Sequence, residues 1–103
     1  MVDTKLEEAR RKIQDIDREI AELFEQRMQA VREIAAFKKE HGLEVADMAQ
    51  ERRVLSRNAA YIQDEQLKPY YLTFMRDIMN VSKQFQEQLM KGKEQDSRGS
   101  GTK

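Results

Sequence analysis

Several polar side chains stand at positions where the helical pattern of this sequence predicts inward-facing residues. They are two arginines, a lysine, an amide, a hydroxyl and two carboxylates: Arg10, Arg27, Lys38, Gln86, Ser82, Asp47 and Glu51. The set contains no nucleophile paired with a base, no group of metal ligands and no phosphate-binding loop. Cations and hydrogen-bond donors beside a carboxylate predict a site for a small dicarboxylate with a hydroxyl, bound between helices.

Arg27 is the most informative of these residues, because it interrupts an otherwise apolar pattern. Residues 4–40 form a heptad with two seams: Leu6, Ile13, Ile20, Arg27 and Ile34, and Ala9, Ile16, Leu23, Ala30 and Phe37. Such seams are typical of a helix with one buried face. No carboxylate lies three or four residues from Arg27, and an unpaired buried guanidinium costs several kcal/mol. We therefore expect an anion to meet Arg27, supplied either by another part of the fold or by a ligand.

Each polar residue also has a simpler structural interpretation. Arg27 can bury its stem and extend its guanidinium to water, and Lys38 can be a solvated lysine at a helix end. Asp47 and Glu51 can compensate the positive end of a helix dipole. Ser82 can bond to its own helix backbone.

The composition predicts one all-α domain. The chain has 103 residues, of which 39% are hydrophobic and 37% charged; Pro69 is the only proline, and Gly42 is the only glycine before residue 92. Helix-forming residues dominate. We assign residues 1–92 to this domain and residues 93–103, which contain no apolar side chain, to a disordered tail or a cloning remnant.

Charge and cysteine content exclude several classes of function. The 19 basic and 19 acidic residues are interleaved, which argues against nucleic-acid binding. There is no cysteine, and His41 is the only histidine, so disulfides, thiol catalysis and histidine-rich metal sites are excluded. We expect no metal and no cofactor. Neither a signal-peptide core nor a membrane span is present, so we expect a soluble, cytoplasmic protein.

The first predicted helix is too long for a compact monomer. It begins near Thr4, where Thr4 and Glu7 fit a capping box, and ends at Gly42. About 36 residues give about 54 Å, whereas a globule of this length is about 33 Å across. A second copy is the natural cover for the apolar seam, which predicts a homodimer. Arg10 is about 25 Å from Arg27 along the helix, so it could reach only the site of the other copy.

Two shorter helical patterns follow. Asp47 and Gln50 fit a capping box for a second helix that runs to about Tyr61. A third helix begins near Leu67 or Lys68, with Pro69 in its first turn. Its apolar stripe contains Leu67, Tyr70, Tyr71, Phe74, Met75, Ile78, Phe85 and Leu89, and a second stripe contains Met75, Met79, Ser82, Gln86 and Met90.

Together these residues resemble the all-helical (AroQ-type) chorismate mutases over roughly residues 5–91. The resemblance rests on residues 9–13 (Ala-Arg-Arg-Lys-Ile), Ile16-Asp17, Arg27, Lys38, Asp47-x-x-Gln50-Glu51-Arg52, and Ser82-x-x-x-Gln86. It implies an intertwined homodimer of three-helix protomers that rearranges chorismate to prephenate on the route to phenylalanine and tyrosine.

The resemblance also implies roles for the polar residues. Arg27, with Arg10 of the partner subunit, would grip the two substrate carboxylates, and Ser82 would support one of them. Lys38 and Gln86 would donate to the ether oxygen. Glu51, with the Asp47 region, would receive the ring hydroxyl.

One departure from the family pattern leaves other functions open. Family members usually have an arginine where this chain has Gln50, and we expect Arg52 and Arg53 to point about 100° or more away from that position. The loss would weaken the positive field around a dianion. Two alternatives remain: a non-catalytic or degenerate mutase-like module for dimerisation or regulation, which Gln50 favours slightly, and an isochorismate pyruvate-lyase of the same fold, which the sequence does not exclude.

Overall fold

A computed structural model describes the backbone of residues 4–102 and the side chains of residues 4–91. It contains three α-helices: α1, Thr4–Glu40; α2, Met48–Ala59; and α3, Lys68–Thr102. Helices and connecting turns account for all of residues 4–102, with no strand among them. The predicted all-α fold with one very long N-terminal helix is confirmed.

The end of α1 is set by Gly42. Its φ of 65° lies in the left-handed region, which glycine adopts without a steric penalty. The N–H of Leu43 donates to the carbonyl of Lys38 at 2.8 Å, and that of Gly42 to the carbonyl of Lys39 at 3.4 Å. This pair of bonds is a Schellman motif, which satisfies carbonyls that the helix end would leave unpaired.

The starts of α2 and α3 follow the capping residues in the sequence. Asp47 is the N-cap of α2, and its side chain accepts a hydrogen bond from the N–H of Gln50 at 3.1 Å. α3 begins one residue before Pro69, which tolerates the first turn because no N–H is needed there. α2 packs against α3, and the hydroxyl of Tyr71 donates to Oδ1 of Asn58 at 3.1 Å between them.

Residues 31–91 contain a small buried core. Its apolar members lie on α1 and α3: Val31, Ala35, Met75 and Met79. Ser82 and Gln86 of α3 are buried as well, so the buried stripe of α3 is the one that carries polar residues. Three members of the predicted apolar stripe, Leu67, Tyr70 and Phe74, are instead exposed.

Residues 4–30 form a separate unit, in which the side chains are exposed except for half-buried Arg27 and Met28. The exposed set includes large apolar residues of both predicted seams: Leu6, Ile13, Ile16, Ile20 and Leu23. This unit therefore presents an uncovered apolar face in the single chain.

The last part of α3 extends past Gly92, where the apolar pattern ends. The side chains of the predicted tail, residues 93–103, lie outside the described residues, so that assignment stays a prediction. Among the described helices, none combines the length and the apolar character that crossing a membrane requires.

Candidate functional site

An ion pair between α2 and α3 includes one of the predicted site residues, Glu51. Nζ of Lys83 is 2.7 Å from Oε1 of Glu51. The sequence around Glu51 offers no base on its own helix, and the structure supplies one from a residue 32 positions later. Both side chains are partly buried, which strengthens such a pair relative to one at the surface.

Lys38 connects the end of α1 to the loop before α2. Its ammonium donates to the backbone carbonyl of Val45 at 2.7 Å, and the side chain is half-buried. Lys38 is therefore not the freely solvated helix-end lysine of the simpler interpretation. An ammonium has three donor hydrogens, so this bond leaves further donor capacity.

Gln50 is engaged by a neighbouring arginine. Nε and Nη2 of Arg53 donate to Oε1 of Gln50 at 3.1 and 2.9 Å. The expectation that Arg53 points well away from Gln50 is wrong, because residues three apart on a helix are neighbours on its surface. The guanidinium thus stands beside the position at which the family pattern usually has an arginine.

Ser82 and Gln86 are buried one turn apart on α3, with 5% and 7% of their surfaces exposed. The hydroxyl of Ser82 donates to the carbonyl of Ile78 at 2.9 Å, as the simpler interpretation expects. Oε1 of Gln86 is buried and accepts no hydrogen bond within the described part of the chain. Such a group typically costs about 1–3 kcal/mol, so the unpaired oxygen marks a place where a hydrogen-bond donor is missing.

The two predicted site arginines lie in the separate unit of residues 4–30. Arg10 is exposed and Arg27 is half-buried. Arg27 has an interaction partner, although the residues three and four positions away include no carboxylate.

Two open clefts flank the Glu51–Lys83 pair. The first has a volume of about 220 Å³, and its lining includes Glu51, Lys83 and Arg76. The second, of about 370 Å³, is lined by residues that include Val45, Lys83 and Glu87. Two cations and one carboxylate among the described lining of the first cleft suit an anionic ligand. The described His, Asp and Glu side chains form no group of three that could hold a metal ion.

Lys83 and Arg76 are the residues that sequence reasoning missed. Lys83 stands between Ser82 and Gln86 in the sequence and four residues after buried Met79, so its position on α3 could have drawn attention. Its partner Glu51 could not have been found in the same way, since local spacing does not report contacts between helices.

The described chain is thus a three-helix protein with a polar, partly buried cluster between α2 and α3. A family profile described as chorismate mutase type II matches residues 9–87. The chain therefore belongs to the chorismate mutase type II family. No curated protein and no solved structure matches the chain.

Proposed function

We propose that this protein is a chorismate mutase, which converts chorismate to prephenate in the biosynthesis of phenylalanine and tyrosine. The observation that carries the proposal is the burial of two polar residues, Ser82 and Gln86, on one face of α3 in a chain that matches the family over residues 9–87. A dimerisation module alone would do better with apolar residues at those positions.

The chemistry asks for the kinds of group that these helices carry. In the rearrangement, the ether C–O bond breaks while a C–C bond forms, with no external acid, base or covalent intermediate. The substrate must be held in a compact reactive conformer, and the ether oxygen must be stabilised as it gains negative charge. Cations and amides meet that need without a catalytic histidine or a nucleophile.

We assign Lys38 and Gln86 to the ether oxygen. Lys38 uses one of its donors on Val45 and retains others. Gln86 is already buried, so its amide would act in a medium where a hydrogen bond is worth more than in water. Glu51 would receive the ring hydroxyl, and its pairing with Lys83 through Oε1 leaves Oε2 as an acceptor. Asp47 and Gln50 would line the same end of α2, and Ser82 would support a substrate carboxylate.

We assign the two substrate carboxylates to Arg27 and to Arg10 of the partner subunit in a homodimer. The exposed apolar seam of residues 4–30 supports the dimer, because an uncovered face of this kind is typical of an interface.

The assay that tests the proposal follows the loss of chorismate together with the appearance of prephenate. Pyruvate release from isochorismate, measured in parallel, distinguishes a lyase of the same fold. Prephenate formation supports the proposal. Pyruvate release alone would show that the protein is the lyase instead. If neither product forms, the non-catalytic module is the remaining interpretation.

Two variants then test the assignment to the ether oxygen. Lys38→Ala and Gln86→Ala should each lower kcat by about 10²–10³, because such donors act chiefly in the transition state. Lys39→Ala is the matched control, since Lys39 donates to the carbonyl of Met90 from an exposed position. A Lys38→Ala protein that changed only KM would place Lys38 on a carboxylate instead.

A further inference from the structure

Lys83 forms an ion pair with a carboxylate on another helix, although its own helix also offers one. Its ammonium is 2.7 Å from Oε1 of Glu51 on α2, with 31% of the Lys83 side chain and 20% of the Glu51 side chain exposed. Glu87 lies four residues later on α3, where a lysine commonly finds a carboxylate on its own helix. The contact with Glu51 therefore joins two helices where a local pair was available.

The position of Lys83 places its charge at the boundary of two clefts. Lys83 and Asn80 line both the cleft that contains Glu51 and the cleft that contains Val45. The facing charges are Arg76 and Glu51 in the first cleft and Glu87 in the second. A substrate that entered between α2 and α3 would meet this ammonium beside the carboxylate of Glu51.

A carboxylate in the site of a dianionic substrate needs compensation. Glu51 suits a hydroxyl donor, but its negative charge would repel two substrate carboxylates, and uncompensated like charges cost several kcal/mol. An ammonium at 2.7 Å cancels that charge. It also fixes the rotamer of Glu51, which lowers the entropy lost when the hydroxyl binds.

We propose that Lys83 is a positioning residue of the mutase site, which holds Glu51 through Oε1 and neutralises it so that Oε2 can accept the substrate hydroxyl. This inference rests on the proposed function, and it adds a residue that acts through Glu51 rather than on the reacting atoms.

The experiment is a double-mutant cycle in steady-state kinetics with chorismate. Lys83→Met should lower kcat/KM about tenfold or more, chiefly through KM, because a charged hydrogen bond that acts on bound substrate and transition state alike is lost. Lys83→Arg keeps the charge and should retain most of the activity. In a Glu51→Gln background, Lys83→Met should change kcat/KM less than about twofold, because no carboxylate remains to be held or neutralised.

Lys68→Met is the matched control for loss of an ion pair. Lys68 also lies on α3, its side chain is also 31% exposed, and it pairs with Glu65 at 2.9 Å. Both methionine variants should lose similar, small amounts of stability in urea, but only Lys83→Met should change KM.

Three results would overturn the inference. A Lys83→Met protein within twofold of wild type would remove any role for Lys83. An undiminished effect in the Glu51→Gln background would show that Lys83 acts by a route other than Glu51. An inactive wild-type chain would defeat the proposed function and the inference with it, whereas the first two results leave the proposed function intact.

Discussion

Residues 4–30 leave an apolar seam exposed, whereas residues 31–91 bury a small core and join α2 to α3 through paired polar side chains. The two units contain similar helix-forming sequence, so propensity does not explain the difference. What differs is the supply of partners within the chain. The unit of residues 31–91 finds its partners in its own α2 and α3, and we infer that the unit of residues 4–30 finds its partner in a second copy.

The largest effect should come from a charge placed in the exposed seam. Ile16→Lys should convert the proposed dimer to monomers and abolish activity, because burying an unpaired ammonium in an apolar interface costs several kcal/mol in each protomer. The molar mass from light scattering at micromolar concentration measures this directly. Gln14→Lys introduces the same charge at an exposed position two residues earlier and should remain dimeric and active. A monomeric wild type, or a dimeric and active Ile16→Lys protein, would show that the seam is not an interface.

The next largest effect should follow removal of Arg27. Arg27→Ala should lower kcat/KM by about 10²–10³ or more, because it truncates the proposed partner of a substrate carboxylate. Arg18→Ala, on the same helix at an exposed position, should retain wild-type kinetics. Near-normal kcat/KM in Arg27→Ala would remove this residue from the site, and circular dichroism of both variants separates loss of function from loss of helix.

Mixing two inactive proteins tests whether Arg10 acts across the interface. When Arg10→Ala and Arg27→Ala chains exchange freely, half of the dimers are mixed, and one of their two sites draws both arginines from intact chains. Activity should recover to about a quarter of the wild-type value. Proven subunit exchange without recovery would mean that Arg10 does not complete the site of the partner subunit.

The helices could be predicted from sequence because their ends are encoded locally. Thr4, Gly42, Asp47 and Pro69 act through backbone geometry and caps within a few residues, and each helix begins or ends beside one of them. The polar stripe of Ser82 and Gln86 could also be predicted, since helical spacing places both on one face.

The pairings between elements could not be predicted in that way. Lys83 meets Glu51 across two helices, so that contact depends on how the chain turns between α2 and α3. Lys38 meets a loop carbonyl seven residues away, so that contact depends on the turn after α1. The predicted apolar stripe of α3 is wrong in part, because Tyr70 and Phe74 are exposed. Hydrophobicity indicates which residues tend to be buried, but tertiary packing decides which face of a helix is buried.

Gln86→Leu should separate activity from stability within residues 31–91. Turnover should fall by about 10²–10³, because the proposed donor to the ether oxygen is lost. The free energy of unfolding should stay equal or rise by about 1 kcal/mol, because a buried amide oxygen without a partner is removed. Urea denaturation and kcat on the same preparations check both. Ser82→Ala is the comparison on the same stripe, since Ser82 already bonds to Ile78 and its loss should give no such gain. A marked loss of stability in Gln86→Leu would mean that the amide is structurally paired.

The smallest effect should come from substitution of Gly42. This change tests whether the turn between α1 and α2 depends on a residue with a left-handed backbone. Gly42 has a φ of 65°, and a Cβ at this position would meet no atom within 4 Å, so the penalty for a side chain comes from the left-handed backbone alone. Gly42→Ala should therefore lower the free energy of unfolding by about 1–2 kcal/mol. Gly42→Asn is the matched control and should lose less, because asparagine enters this region more readily than alanine.

Activity should respond more weakly than stability to the same change. The turn at Gly42 is followed by Val45, whose carbonyl holds Lys38, and by Asp47, which caps α2. A slight shift of this loop would move the Lys38 ammonium relative to the ether oxygen and lower kcat a few-fold, while the Glu51–Lys83 pair between α2 and α3 stays in place. Urea denaturation gives the change in stability, provided that the m-value is unchanged, and steady-state kinetics on the same proteins give kcat. If Gly42→Ala matched the wild type in stability, the turn would not need a left-handed residue. If Gly42→Ala instead lost turnover as severely as Lys38→Ala, the loop rather than the lysine would control the chemical step.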